Sequence, residues 1–440
     1  MSARVQSYCI QPGQKLGGDI IVPGDKSISH RAVMLGSIAR GPTAVRGFLD
    51  SEDCRATLAA FEQMGVDCQR SPDGSLVIEG VGHGGLKPPA VELDMGNSGT
   101  AMRLMMGLLV GQGVDAKLTG DKSLRQRPME RIAKPLRSMG ANLTTHDGTA
   151  PIHIHAGSGL SGIRYELPVA SAQIKSAVLL AGLGADGLTE VISPDPSRDH
   201  TERMLETMGV SVAINDNGLR ASVNGPAELT GTDIHIPGDL SSAAFFIVGA
   251  CLGAREPIVL RRVGINPTRD GLLTILRLMG ARIELENQTQ FGAEPVADIR
   301  VYPAELVGAE IPASLVPLAI DELPVIFIAA AAARGRTVVR GAEELRVKES
   351  DRLGAMARAL SAVGASVEET RDGLIIDGGR IDGGTIDTEG DHRIAMSFAI
   401  AGLVSQAPIT VRDTGPVATS FPGFVDVASR ANLAIAVSEA

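Results

Sequence analysis

The segment Leu136-Arg-Ser-Met-Gly140-Ala-Asn-Leu143 reads as the end of an amphipathic helix, a glycine stop and the start of a strand. The same reading applies to Phe61-Glu-Gln-Met-Gly65-Val-Asp-Cys68, Leu205-Glu-Thr-Met-Gly209-Val-Ser-Val212, Leu276-Arg-Leu-Met-Gly280-Ala-Arg-Ile283 and Leu360-Ser-Ala-Val-Gly364-Ala-Ser-Val367. Glycine takes the left-handed turn that ends a helix without steric cost, so each stop feeds the strand after it. Successive glycines lie 75, 69, 71 and 84 residues apart. A degenerate sixth copy, Val427 to Val437, lacks the glycine. Units of this length are too long for a solenoid and suit a small βαβ-type element, giving an α/β protein of about six units.

A second repeat divides the six. Pro23-Gly24-Asp25-Lys26-Ser27 and Pro237-Gly238-Asp239-Leu240-Ser241 each open an apolar helix. The division is three plus three: two pseudo-equivalent domains, 22–237 and 1–21 plus 238–440, with crossing points near Val22 and Pro237 and a site in the cleft between them. In the first opening Lys26, Ser27 and Arg31 stand at a helix N-terminus, where unpaired N–H groups and the positive dipole end favour an anion. A capped helix with solvated cations is the plainer explanation of that segment taken alone. The second opening keeps the turn and lacks the cations.

Length and composition narrow the class. The 440 residues are 44% hydrophobic, enough for more than one core, and the net charge of -10 excludes a general nucleic-acid or anionic-membrane surface. The first ten residues hold no apolar targeting core, and no apolar run reaches membrane-spanning length, so a soluble cytoplasmic protein is expected. Cys9, Cys54, Cys68 and Cys251 lack metal or redox spacing and read as core or half-buried residues. Gly80-Val-Gly-His-Gly-Gly85 matches a dinucleotide fingerprint, but Leu86-Lys-Pro-Pro89 follows in place of the helix that the fingerprint needs. His153-Ile-His155 reads as strand alternation, not as a metal pair.

The chemistry gathers in polar turns before helices. Gly96-Asn-Ser-Gly99-Thr-Ala-Met-Arg103 has a small-residue backbone that a ligand can approach closely, and Ser171-Ala172-Gln173 caps another helix. Lys348 and Arg352 stand four apart beside Glu349, and Asp391-His392-Arg393 opens a further apolar run. With Arg127 and Arg198, the cations at such turns number seven: Lys26, Arg31, Arg127, Arg198, Lys348, Arg352 and Arg393. In an acidic protein that clustering implies a polyanionic substrate, because close like charges repel by roughly 1 kcal/mol or more per pair.

The runs PGDKSISHR, GNSGTAMR, RPM, SAQ, SRDHTE, IDELP, LRVKESDR, DHRIAMS and TSFP together resemble the 5-enolpyruvylshikimate-3-phosphate synthase (3-phosphoshikimate 1-carboxyvinyltransferase) family over essentially the whole chain. RPM and SRDHTE are similar to its second branch. The resemblance implies two domains, each of three βαβαββ units with helices packed inside, an inside-out α/β barrel. It implies transfer of the enolpyruvyl group of phosphoenolpyruvate to the 5-hydroxyl of shikimate 3-phosphate with release of phosphate, in the pathway to aromatic amino acids. No metal or organic cofactor is implied, and a monomer without nucleic-acid or membrane partners is expected.

By the same resemblance Lys26, Ser27, Arg31, Ser171, Ala172, Gln173, Arg198, Asp321 and Lys348 hold shikimate 3-phosphate. Lys26, Gly99, Arg127, Gln173, Arg352 and Arg393 hold phosphoenolpyruvate. Asp321, Glu349 and Lys26 are the catalytic set, with Asp321 and Glu349 as acid–base pair. One branch carries a lysine just before its T-F-P run, whereas this chain has Thr419-Ser-Phe-Pro422. A glyphosate-tolerant branch carries alanine at the position of Gly99, so this chain resembles the sensitive form. The UDP-N-acetylglucosamine enolpyruvyl transferases share the donor, but they usually carry a reactive cysteine in the loop equivalent to 119–129, and this loop has none. Against a non-catalytic polyanion binder stand Asp321 and Glu349, since carboxylates inside a phosphate clamp weaken binding unless they move protons.

Overall fold

Each glycine stop ends its helix as the residue's conformational freedom requires. The computed structural model describes residues 6–157 and 159–439. Residues 1–5, on which part of the targeting-segment expectation rests, lie outside the described residues, as do Ser158 and Ala440 of the two expected domains. Helices Glu52–Gln63, Glu130–Ser138, His200–Thr207, Gly271–Leu278 and Arg352–Ala362 lead to Gly65, Gly140, Gly209, Gly280 and Gly364 at φ of 89°, 100°, 91°, 94° and 82°. The Gly65 N–H reaches Glu62 O at 3.0 Å and the Val66 N–H reaches Phe61 O at 3.1 Å, and the same pair of bonds recurs at the other four. Two orphan carbonyls are thereby satisfied at every stop. The sixth copy is complete as well. Helix Phe424–Arg430 ends at Asn432, φ 67°, whose N–H bonds Ser429 O at 3.0 Å while the Leu433 N–H bonds Ala428 O at 2.9 Å. Asparagine, which tolerates the left-handed region better than most side chains, stands in for glycine.

Five of the six units build one sheet of the same plan, a parallel pair extended by two antiparallel strands. In the second unit the order is Leu93–Asp94, Ala116–Thr119, Thr149–Ile154, Leu143–His146; in the third it is Arg164–Glu166, Gly187–Ile192, Arg220–Gly225, Ala213–Asn215. The first unit borrows its parallel strand from later in the chain: Asp233–His235 pairs with Arg40–Arg46, Ile234 opposite Val45. The second half makes the reciprocal loan, with Asp19–Ile20 beside Ile258–Gly264. In the last unit Gln6–Ile10 lies between Ile409–Arg412 and Ile435–Glu439. The sheet of Gly335–Val339, Gly373–Gly378 and Ser366–Thr370 has three strands, and isolated bridges from Val307 and Glu310 mark the place of a fourth. The sheets are separate, and none closes on itself.

Residues 24–236 with 290–294 pack as one unit, and the remaining described residues pack as the other. Compared with the expected limits of 22–237, Val22, Pro23 and Pro237 fall in the second unit, and the tip of the hairpin after Ile283 falls in the first. The physical reason at Val22 is its side chain, 5% exposed within the core built on Leu240 to Cys251.

The leading helix of each unit is apolar on every side and therefore interior. Gly99–Gln112 and Ala172–Gly182 are buried along nearly their whole length in one unit, as are Leu240–Gly253, Leu323–Ala332 and His392–Ala401 in the other. Gly107 lets the first two touch: a Cβ there would lie 2.0 Å from Ala177 O. Gly107→Ala is therefore expected to force the helices apart at a cost of about 1–3 kcal/mol, lowering the urea midpoint with little change in slope. Gly415→Ala, where a Cβ meets nothing within 4 Å, should stay within about 0.5 kcal/mol of the parent.

Candidate active site

Helix starts position the functional groups of the first unit. Asp25 caps Lys26–Ile38 by accepting from the Ile28 N–H at 2.8 Å, and Ser51, Ser98 and Ser171 cap the helices that follow them. Lys26, 18% exposed, donates to Asp53 Oδ2 at 2.7 Å. Arg31, 3% exposed, spends its guanidinium on Thr201 Oγ1 at 2.7 Å, Ser176 Oγ at 2.9 Å and the Ser27 carbonyl at 2.9 Å. Burial lowers its pKa to about 10 against the pull of Glu202 and Asp25, so it stays cationic at neutral pH. Arg198 is half-buried and near enough for its charge to contribute to that lowering. The loop that carries Arg198 is pinned by Lys175, which donates to Ser197 O at 3.2 Å and pairs with Glu202 at 2.6 Å, both side chains 2% exposed.

Arg127 and Gly99 face each other across the small-residue turn. Arg127 donates to Asn97 Oδ1 at 2.7 Å and to Asn97 O at 3.2 Å. A Cβ on Gly99 would lie 3.2 Å from Arg127 Nη1 and 2.8 Å from Arg103 Nη1. Gln173 closes the arrangement, its Oε1 accepting from Arg103 Nη1 at 2.8 Å and its Nε2 donating to Thr100 Oγ1 at 3.1 Å. Hydrogen bonds and ion pairs thus link the expected first-unit residues through partners that the sequence reading did not assign: Asp53, Arg103, Ser176, Thr201 and the pair Lys175–Glu202. Arg103 had a signal, since it follows Gly99 by four residues on one helix face. Asp53 had none nearby.

In the second unit the chemistry surrounds Arg352, which is fully buried. Its Nε donates to Asp391 Oδ2 at 2.7 Å, its Nη2 to Glu349 Oε2, and its Nη1 lies 3.6 Å from Asp321 Oδ1. Burial alone would lower the pKa of Arg352, but the three carboxylates outweigh it and hold the group above its ordinary value, so it is permanently charged. Lys348 reaches Asp321 Oδ1 at 3.5 Å, and Arg393 donates to Asp321 O at 2.9 Å. Lys348 and Arg352 do not share a helix face, because the helix begins at Arg352 and Lys348 lies in the preceding turn. Nor do the cations stand uncompensated: Asp53 in one unit and Asp321, Glu349 and Asp391 in the other partner them. Thr419 donates to Pro416 O at 2.7 Å in the turn where the other branch has lysine.

Six sheets interleaved with helices, five of four strands and one of three, three to each unit, with cations and carboxylates at the helix starts, define the architecture of an enolpyruvyl transferase. The solved enolpyruvyl transferase NikO from Streptomyces tendae superposes with a TM-score of 0.81 over 99% of this chain and 100% of that one; at 18% identity it shares the fold. The sequence pattern of EPSP synthase (3-phosphoshikimate 1-carboxyvinyltransferase) matches residues 10–428. The 3-phosphoshikimate 1-carboxyvinyltransferase of Methylococcus capsulatus is 56% identical over 97% of this chain and 98% of its own. That of Legionella pneumophila is 53% identical over 96% and 97%. The structure of EPSP synthase from Acinetobacter baumannii aligns with a TM-score of 0.88 and 52% identity, covering 98% of this chain and 100% of that one. This chain belongs to the EPSP synthase family.

Among these residues His30 carries a pH consequence. It is 1% exposed, and burial, reinforced by the charges of Lys26 and Arg31 and opposed by Asp25, lowers its pKa to about 3. Folding therefore favours the neutral ring. That contribution is fully present above the unfolded value of 6.5 and is lost as pH falls from there toward 3. Relative to a His30→Gln variant, the parent is expected to lose up to about 1.4 kcal/mol more per pH unit below 6.5, read from urea unfolding between about pH 7 and 4.

Proposed function

We propose that the residues of the two units act on one pair of substrates, phosphoenolpyruvate and shikimate 3-phosphate. The activity is carboxyvinyl transfer to 3-phosphoshikimate. Lys26, Ser27, Arg31, Ser171, Ala172, Gln173, Arg198, Asp321 and Lys348 hold shikimate 3-phosphate; Lys26, Gly99, Arg127, Gln173, Arg352 and Arg393 hold phosphoenolpyruvate. One observation carries the catalytic reading: Glu349 and Asp321 flank the same buried Arg352. A guanidinium that binds the donor's carboxylate therefore brings both ionisable groups beside the reacting carbons.

The reaction asks for these groups. Carbon 3 of phosphoenolpyruvate accepts a proton as carbon 2 turns electrophilic and the 5-hydroxyl attacks while losing its own proton. Phosphate then leaves, and carbon 3 gives a proton back to restore the double bond. Glu349 and Asp321 serve as acid and base, and Lys26 reaches both ligands. Arg352 and Arg127 hold charge in fixed positions, so no solvent has to reorganise as the phosphate departs. No helix among the described residues is long and apolar enough to cross a membrane; a cytoplasmic monomer is proposed.

Calorimetry with shikimate 3-phosphate and with UDP-N-acetylglucosamine, followed by phosphate release with phosphoenolpyruvate, tests the substrate assignment. Binding of the UDP sugar in place of shikimate 3-phosphate would refute it. Glu349→Gln is expected to lower kcat by roughly 10²-fold with little change in either KM, and Lys26→Ala to impair both. Turnover of Glu349→Gln within a few-fold of the parent would remove the residue from proton transfer. Gly99→Ala places a methyl group against two guanidinium groups and narrows the pocket. Its glyphosate inhibition constant is expected to rise roughly 5- to 150-fold, well beyond the change in KM for phosphoenolpyruvate; equal changes would show that another loop sets the pocket length.

A further inference from the structure

His30 is not among the residues assigned to either substrate, yet its ring joins two parts of the first unit that are proposed to hold them. Its Nδ1 lies 2.8 Å from Thr57 Oγ1 and its Nε2 lies 3.2 Å from Ser98 Oγ. Thr57 is 0% exposed and Ser98 2%. The direction of each bond follows from its neighbours. The Thr57 hydroxyl donates to Asp53 O at 3.3 Å, so its oxygen accepts from His30. Ser98 Oγ accepts from the Ala101 N–H at 3.1 Å as helix cap, leaving its hydroxyl proton for His30 Nε2. The chain therefore runs one way, from the Ala101 N–H through Ser98, His30 and Thr57 to the Asp53 carbonyl, and only a neutral ring protonated on Nδ1 satisfies every member. The opposite tautomer would leave the Ser98 proton without an acceptor.

We infer that His30, fixed as the Nδ1-protonated tautomer, is a positioning residue that holds the Lys26–Asp53 pair in register with the Gly99 turn. Asp53 at one end grips the Lys26 ammonium at 2.7 Å. Ser98 at the other end caps the helix that begins with Gly99, beside Arg127. That the Lys26 end serves both substrates and the Gly99 end phosphoenolpyruvate alone rests on the function proposed above; the tautomer does not. Asparagine reproduces the Nδ1 donor and glutamine reproduces the Nε2 acceptor, so two conservative variants cut the chain at opposite ends.

The test is steady-state kinetics of His30→Asn and His30→Gln with ¹⁵N NMR of the histidine rings of the parent enzyme, the His30 signals being those missing from His30→Gln. His30→Asn should raise KM for phosphoenolpyruvate on the order of 3- to 10-fold while that for shikimate 3-phosphate stays within about twofold, and His30→Gln, which disturbs the Lys26 end, should raise both. The parent ring should show a protonated Nδ1 and a bare Nε2 from about pH 6 to 9. A ring protonated on Nε2, or the same KM pattern in both variants, would overturn the inference even if either variant folded poorly. A parent that released no phosphate from the two substrates would instead overturn the proposed function and leave the tautomer result standing.

Discussion

A helix that is apolar on every face can show water only its ends. That constraint governs this protein, because the leading helices Gly99–Gln112, Ala172–Gly182, Leu240–Gly253, Leu323–Ala332 and His392–Ala401 are wrapped by sheets and by one another. Their N-termini, capped by serine or aspartate in every case but Leu323–Ala332, are the places where a polar ligand can meet the interior without stranding a buried dipole. Gly99, Ser171, Ala172, Gln173, Asp321 and Arg393 stand at or beside such starts, and Lys26, Ser27 and Arg31 stand in the first turns of another buried helix, Lys26–Ile38. Backbone geometry thus favours an anion at these starts before any cation is added, and Lys26, Arg31 and Arg393 add charge to that preference.

The buried cations require a second device. A guanidinium as enclosed as Arg352 costs several kcal/mol to desolvate unless counter-charges surround it, and Asp391, Glu349 and Asp321 do so. These contacts are not equivalent. Asp391 is fully buried and caps a helix, so it is structural; Glu349 and Asp321 are 19% and 16% exposed and remain reachable. One ion cluster therefore holds both a buried carboxylate that fixes the charge and two reachable ones that the proposed reaction would use. The Lys26–Asp53 pair has the same logic, with the partly exposed ammonium facing outward and the carboxylate held below.

What could be read in the sequence was what a residue does locally. Gly65, Gly140, Gly209, Gly280 and Gly364 announce left-handed stops because hardly any other residue takes that conformation cheaply; from their spacing about six units followed, and the two Pro-Gly-Asp openings divided them three plus three. The sixth stop was hidden because Asn432 does the same work with a different letter. Strand exchange was hidden too, since Asp233–His235 and Asp19–Ile20 are too short to carry an alternation pattern and their partners lie far along the chain. At the site, motif runs pointed to the residues proposed to hold the ligands. The supports beneath them, Asp53, Thr57, Ser176, Thr201 and Glu202, are joined by contacts across helices that no local pattern encodes.

The exchanged strands also order events in time. All but one short piece of the Lys26 unit lies in an unbroken stretch, 24–236, and its borrowed strand Asp233–His235 comes at the end of that stretch. It can close its sheets as soon as that stretch has left the ribosome. The other unit cannot. Gln6–Ile10 has no sheet neighbour until Ile409–Arg412 and Ile435–Glu439 have been made, so one edge-bearing segment must stay unpaired while all the residues between are synthesised. Long-range pairing of this kind folds slowly and exposes strand edges. A growing chain of this protein consequently carries a finished unit and an unfinished one side by side, and its vulnerability to misassembly is concentrated in the second.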